Sequence, residues 1–136
     1  TWYDPNSATN GGDSGVLGTA GTCASSLAQC NTLAYVAAVN ASSLCGYSDW
    51  RMPTAAELGE IGALGGGTAG VWNREYFPNT PTNFSASGNA MFPWSATSLA
   101  SDSLYAWFLS NTSGTLGAGA AYGSLKTGAR GVRLVR

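Results

Sequence analysis

Glu57 and Glu60 are the nearest approach in this chain to a catalytic pair. Three positions apart on a helix they share one face, and two acids flanking a glycosidic bond are the working parts of most glycosidases. The plainer reading makes both of them first-turn acids, placed where the helix dipole favours negative charge. The chain has no histidine, which removes imidazole bases, Ser/His/Asp triads, Cys/His pairs and most catalytic zinc sites together. No P-loop, dinucleotide-binding or EF-hand pattern occurs, and the run Gly65 to Gly67 lacks the Lys and Ser/Thr of a phosphate cradle. Catalysis, a metal and a cofactor are therefore not expected, and a glycan-active enzyme using Glu57, Glu60, Asp102 or a tyrosine is the least favoured reading.

Cys23, Cys30 and Cys45 are too few and wrongly spaced for a four-thiolate zinc site. One disulfide and one odd thiol are expected. Joining Cys30 to Cys45 would close a loop of about 15 residues, worth up to about 3 kcal/mol by chain entropy. Cys23 with Cys30 is the alternative. Either bond implies an oxidising compartment. Neither a signal peptide nor an initiator Met opens the sequence, so it reads as a mature or excised domain.

Four of the six cations, Lys126, Arg130, Arg133 and Arg136, fall in the last eleven positions, whereas all seven acids precede residue 103. With two cations against seven acids, residues 1–125 carry −5, and residues 126–136 carry +4. Only 10% of the 136 residues are charged, against about 25% in an average protein, so the surface must be largely uncharged and polar. A uniformly basic nucleic-acid binder is excluded, no run approaches the ~18 apolar residues of a membrane helix, and five Trp, six Tyr and four Phe argue against disorder. The length fits a single domain over residues 1–136.

The elements that must position these residues are legible in part. Thr1 to Asp4 pairs strand-like aromatics with an Asp-Pro turn, and residues 6–21 read as loop; Gly12, Gly15, Gly18 and Gly21 keep a period of three there, but without proline they read as loop rather than collagen. A helix is expected from Asn31 or Thr32, with Leu33, Val36, Ala37 and Val39 on one side. A second begins at Thr54, which forms a capping box with Glu57, carries Leu58, Ile61 and Leu64, and ends at Gly65 to Gly67. Strands are expected over residues 92–99, 104–110, 118–125 and 131–136, and the aromatic-rich loop 68–90 is expected to cover the sheet. Two short helices followed by an antiparallel meander give an α+β class.

Residues 45–58, CGYSDWRMPTAAEL, combine a turn, Trp50, Arg51, Pro53 and the capping box in a structural corner where Asp49 or an aromatic face can hold Arg51. The run resembles the signature of the bacterial DUF1566 family, also called the Legionella collagen-like protein C-terminal domain, written DWRLPT and, two residues on, EL; Met52 replaces the Leu here. Residues 92–97 (FPWSAT), 106–108 and 131–136 (GVRLVR) resemble the family's later strands, in its order.

The resemblance implies a C-type-lectin-like fold, two short helices packed on twisted antiparallel β-sheet with long loops, as the C-terminal domain of a longer collagen-like surface protein. It further implies a non-catalytic adhesin domain, secreted or on the bacterial cell surface, that binds sulfated glycosaminoglycan or another anionic polysaccharide as a homotrimer. The alternative is a trimerisation or protein-docking cap without glycan binding. The Glu-Pro-Asn, Gln-Pro-Asn and Trp-Asn-Asp signatures of calcium-dependent lectins are absent. Sulfate recognition rests on charge-assisted bonds from Arg and Lys, so Lys126, Arg130, Arg133, Arg136 and Arg74 are the candidate ligand residues. Lys126 and Arg130 are expected to be exposed in a Gly-rich turn, and Arg133 to pair with an acid such as Asp49 or Glu57. Trp72, Tyr105, Trp107 and Tyr122 are further candidates for stacking on sugar rings.

Overall fold

In the computed structural model, residues 1–23, 27–63, 92–109, 116–117 and 125–136 are described. Their order is α1 (Thr32–Ala41), a 3-10 turn (Leu44–Gly46), α2 (Ala55–Ala63), β1 (Trp94–Ser98), β2 (Ala106–Leu109) and β3 (Leu116–Gly117). The strands form an antiparallel sheet in the order β1-β2-β3, so the α+β expectation holds. Trp94 pairs with Phe108 and Ser98 with Ala106, with an irregularity between them.

The first helix starts where its cap allows. Asn31 Oδ1 accepts the Ala34 amide at 2.8 Å, satisfying one of the orphan donors of the first turn. Only Thr32 of α1 is buried, and Leu33 is 47% exposed, so the apolar side seen in the sequence does not face the core. The second helix is the one that packs. Thr54 Oγ1 accepts the Glu57 amide at 3.2 Å while Glu57 Oε2 accepts the Thr54 amide at 2.8 Å, the reciprocal bonds of a capping box. Pro53 O accepts Ala96 N at 2.7 Å and Thr97 Oγ1 accepts Ala55 N at 3.0 Å, tying the helix start to β1. Leu58, fully buried, meets Leu109 of β2, with Ile61 packed alongside.

The main core is aromatic: Trp2, Trp94, Ala106 and Phe108 are buried together, flanked by Met52 and Phe92. Phe108 receives Trp94 and Phe92 edge-on, with centroids 6.3 and 6.1 Å away. Trp2 enters this core from the chain start, its indole Nε1 donating to Ser95 O at 2.9 Å. Close approach there explains one glycine. Gly15 has φ 76°, and a Cβ on it would strike the carbonyl of Trp2, to which Val16 N donates at 3.0 Å. The period-three glycines all have positive φ (97°, 76°, 69° and 75°), the opposite sign from a collagen strand, and so belong to turns.

Two expectations are corrected. Residues 131–136 form no named strand; the ladder there is a bridge between Val135 and Arg51, whose amides donate to each other's carbonyls at 2.9 Å. The disulfide joins Cys23 to Cys30, with Cα atoms 5.7 Å apart, not Cys30 to Cys45. The ten residues of α1 begin just after Cys30 and carry the chain about 15 Å onward, beyond the ~7 Å that a disulfide can span. Cys45 is an exposed free thiol in the turn after that helix. The end of α2 at Gly65 to Gly67, the loop 68–90 and the expected strand over 118–124 lie outside the described residues, although Leu125 bridges to Tyr105.

The corner before α2 has a measurable acid signature. Arg51 donates to both oxygens of Glu57, at 2.8 and 2.6 Å, so Glu57 and neither Asp49 nor an aromatic face holds this arginine. The Arg51 guanidinium, helped by the Thr54 amide, lowers the Glu57 carboxyl from 4.5 to about 2. A folded value below the unfolded one means that the ionised acid favours folding above about pH 4.5, a contribution lost as pH falls toward about 2. Glu57→Gln is expected to flatten this part of the stability profile, measured by urea unfolding from pH 6 to pH 2; an unchanged profile would remove Glu57 from acid unfolding.

Candidate functional site

The C-terminal cations leave the turn at Lys126, which is not exposed. It is 1% accessible, and its ammonium donates to Asn10 O at 2.8 Å and Asp13 O at 2.6 Å while lying 4.3 Å from the centre of the Trp2 ring. Burial lowers its pKa, with Asp13 and Asp4 acting the other way. The turn places Lys126 against the N-terminal loop because its own amide donates to Leu104 O and its carbonyl accepts from Trp2 N. A side chain rooted there reaches the carbonyls of the loop before it reaches water. Lys126 is thus withdrawn from the exposed candidates, a correction to the sequence reading.

Arg130 is half-buried and takes a different set of partners. Its guanidinium carbon lies 3.8 Å from the Phe108 ring centre, 5.1 Å from Trp94 and 5.8 Å from Phe92. Trp94 N donates to Gly131 O at 3.0 Å, which brings the arginine over β1 and β2. Desolvation on these rings lowers its pKa to about 10, so it is still a cation at neutral pH.

Arg133 is half-buried, and burial lowers its pKa as well. The acids expected to hold it, Asp49 and Glu57, engage Arg136 and Arg51. Arg136 is exposed, its Nε 2.9 Å from Asp49 Oδ1 and its guanidinium 3.4 Å from the Tyr47 ring centre. Arg74, Trp72 and Tyr122 lie outside the described residues. Alternation along a strand puts Arg130 and Arg136 on one face, whereas in the fold they sit on separate aromatic seats: the sheet core for one, the corner around Tyr47 for the other. Tyr105 opens the approach to β2 and Trp107 lies half-buried within it.

A groove of about 270 Å³ opens beside Arg130. Leu27, Tyr35 and Val132 form apolar walls, Asn31 and Thr1 contribute polar edges, and the Cys23–Cys30 disulfide lies alongside. Tyr35 and Leu27 were not readable as site residues. Tyr35 sits in an apolar helical run where an aromatic reads as core, and Leu27 becomes a wall only because the disulfide folds its loop back. Tyr47 had a weak signal, an aromatic two residues before an acid, which is a fitting seat for an arginine. Among the described residues no group of three Cys, Asp or Glu side chains is placed to hold a metal ion, and no helix is long and apolar enough to cross a membrane.

Replacing Lys126 tests its assignment as a strut. Lys126→Met keeps the buried stem but removes the ammonium from Asp13 O and from Asn10 O, the second of which keeps the Ser98 hydroxyl as a donor, a loss of about 1–3 kcal/mol. Thermal and urea unfolding should register it, and a variant as stable as the parent would return Lys126 to the surface.

No curated protein and no solved structure matches the chain. The profile of the Lcl C-terminal domain matches residues 1–136, and the chain belongs to that family.

Proposed function

We propose that this is a non-catalytic domain of an extracellular bacterial surface protein that binds sulfated or other anionic polysaccharide as a homotrimer. The observation that carries the reading is the seating of Arg130: a cation 3.8 Å from the Phe108 ring centre and within 6 Å of those of Trp94 and Phe92, at the edge of a groove with no acid among its described lining residues. A guanidinium already ordered on rings loses little further freedom on meeting an anion, and its partly desolvated setting strengthens the attraction. Arg133, Arg136 and Arg74 complete the assigned set, without Lys126. Family membership supports placing the domain C-terminal to a collagen-like region, with the C-type-lectin-like fold that the resemblance implies. The disulfide fits an oxidising compartment.

Three copies about one axis would add their basic segments into one field and gain avidity from multivalency. Residues 14–48 contain no Asp, Glu, Lys or Arg, and Val16, Leu17, Leu33 and Leu44 within that stretch are exposed. Copies can meet through such a surface without charge repulsion. The same surface favours the second reading, a trimerisation or docking cap that binds no glycan.

Retention on immobilised heparin at low salt tests the first reading. Arg130→Ala combined with Arg136→Ala should weaken binding roughly tenfold or more, since each loses a charge-assisted bond, and should shift elution to lower salt. Unchanged retention would remove this site. A trimer by sedimentation together with a blank array of sulfated glycans would establish the cap instead.

A further inference from the structure

We propose that Tyr47 and Asp49 are positioning residues for an oxyanion subsite on Arg136, which takes one sulfate or carboxylate group of an acidic polysaccharide. This deepens the polysaccharide reading and rests on it, but it adds two residues that a count of cations leaves out, one of them an acid.

The seat is made by two segments with fixed backbones. Residues 41–49 are exposed throughout, yet the corner they form is tied down. Tyr47 N donates to Leu44 O at 3.1 Å, and the side-chain amide of Asn40 on α1 exchanges bonds with the backbone of Trp50 at 2.8 and 2.9 Å. Arg136 follows Val135, whose amide and carbonyl pair with those of Arg51 at 2.9 Å. Tyr47, Asp49 and Arg136 thus each carry such a tie or stand next to a residue that does.

The two arginines of this corner are held differently. Arg51 gives its terminal nitrogens to both oxygens of Glu57, at 2.8 and 2.6 Å, so its charge is answered on the edge where an anion would bind. Arg136 gives Asp49 its Nε, at 2.9 Å, while its guanidinium carbon lies 3.4 Å from the Tyr47 ring centre. Among the described residues these are its partners, which leaves the edge carrying both terminal nitrogens to meet an oxyanion in the bidentate way. The side chain is 41% exposed, within reach of a ligand. The ring fixes the plane of the fork and the Nε bond fixes its rotation, so less freedom is lost when an anion binds.

Asp49 has two opposing effects. Its charge repels an incoming anion, but the acid is 66% exposed and salt screens that repulsion. Its oxygen, by contrast, holds the fork at any salt concentration that leaves the bond in place. Substitution separates the two effects: Asp49→Asn and Asp49→Ala remove the same charge, and only asparagine keeps an oxygen for Nε.

The test is a titration of the 136-residue chain, followed by amide spectra at physiological salt, with a heparin tetrasaccharide and with sulfate-free tetragalacturonate. Binding should shift the amides of Tyr47, Ser48, Asp49 and Arg136. Asp49→Ala should bind about threefold or more weakly than Asp49→Asn, although the two have equal net charge. Tyr47→Ala should lose about threefold or more against the parent, and Tyr47→Phe, which keeps the ring, should bind as the parent does. Arg136→Lys, which keeps the charge without the fork, should lose about fivefold. Thermal midpoints should stay at the parent's value in all of these, because an exposed ion pair adds little to stability, so the losses report positioning and not unfolding. A response to heparin alone assigns the subsite to sulfate, and a response to galacturonate as well assigns it to carboxylate too. Equal binding by Asp49→Ala and Asp49→Asn would overturn the role of Asp49, and equal binding by Tyr47→Ala and the parent that of Tyr47. Binding that leaves these amides unmoved would overturn the subsite while leaving the polysaccharide reading intact. Failure of the parent to bind either oligosaccharide would instead defeat the reading on which the subsite rests.

Discussion

The ammonium of Lys126 lies between two backbone carbonyls of the N-terminal loop and the face of Trp2, and much of the described structure is organised around that contact. A charge removed from water is costly unless its donors are satisfied. Here the satisfaction comes from Asn10 and Asp13, whose loop is in turn held by Asp4 and Asn10 side chains. The backbone of Lys126 joins Trp2 on one side and Leu104 on the other. One residue thus links the chain start, the turn between β1 and β2 and the C-terminal segment, and it positions Trp2 over the sheet that Arg130 also uses.

Aromatic rings divide the basic segment. In a chain with few acids, ring faces take up several of these cations: Lys126 lies on Trp2 and Arg130 on Phe108, while Arg136 lies between the Tyr47 ring and the Asp49 carboxylate. Such contacts hold the cations in place by attraction to the negative ring faces. The net +4 of the last eleven residues therefore does not appear as one patch. It is distributed between a structural strut, a seated cation at a groove, the half-buried Arg133, and an exposed pair with Asp49.

Motifs governed by neighbouring residues were legible without the fold. Asn31 and Thr54 cap helices, and the Thr54–Glu57 box closes as its spacing requires, because those bonds span only three residues. Strands at 94–98 and 106–109 fall within the runs expected of them. Partner choice was not legible. Asn40 clasps the backbone of Trp50, ten residues on, through both ends of its amide, at 2.9 and 2.8 Å. Glu57 rather than Asp49 holds Arg51, because the start of α2 turns the carboxylate back toward the corner.

The sequence by itself determined the α+β class, the helix starts and the basic C-terminal segment, which follow from composition or from bonds between near neighbours, and the family, which follows from the resemblance of residues 45–58 and the later segments to its signature. Only the tertiary structure decided which cysteines meet, which cation is buried and which remains at a groove. Those outcomes depend on distances across the fold: the length of α1 separates Cys30 from Cys45, and the docking of Trp2 turns Lys126 inward. A charge count records how many cations the segment carries, and packing against rings and carbonyls decides which of them are buried.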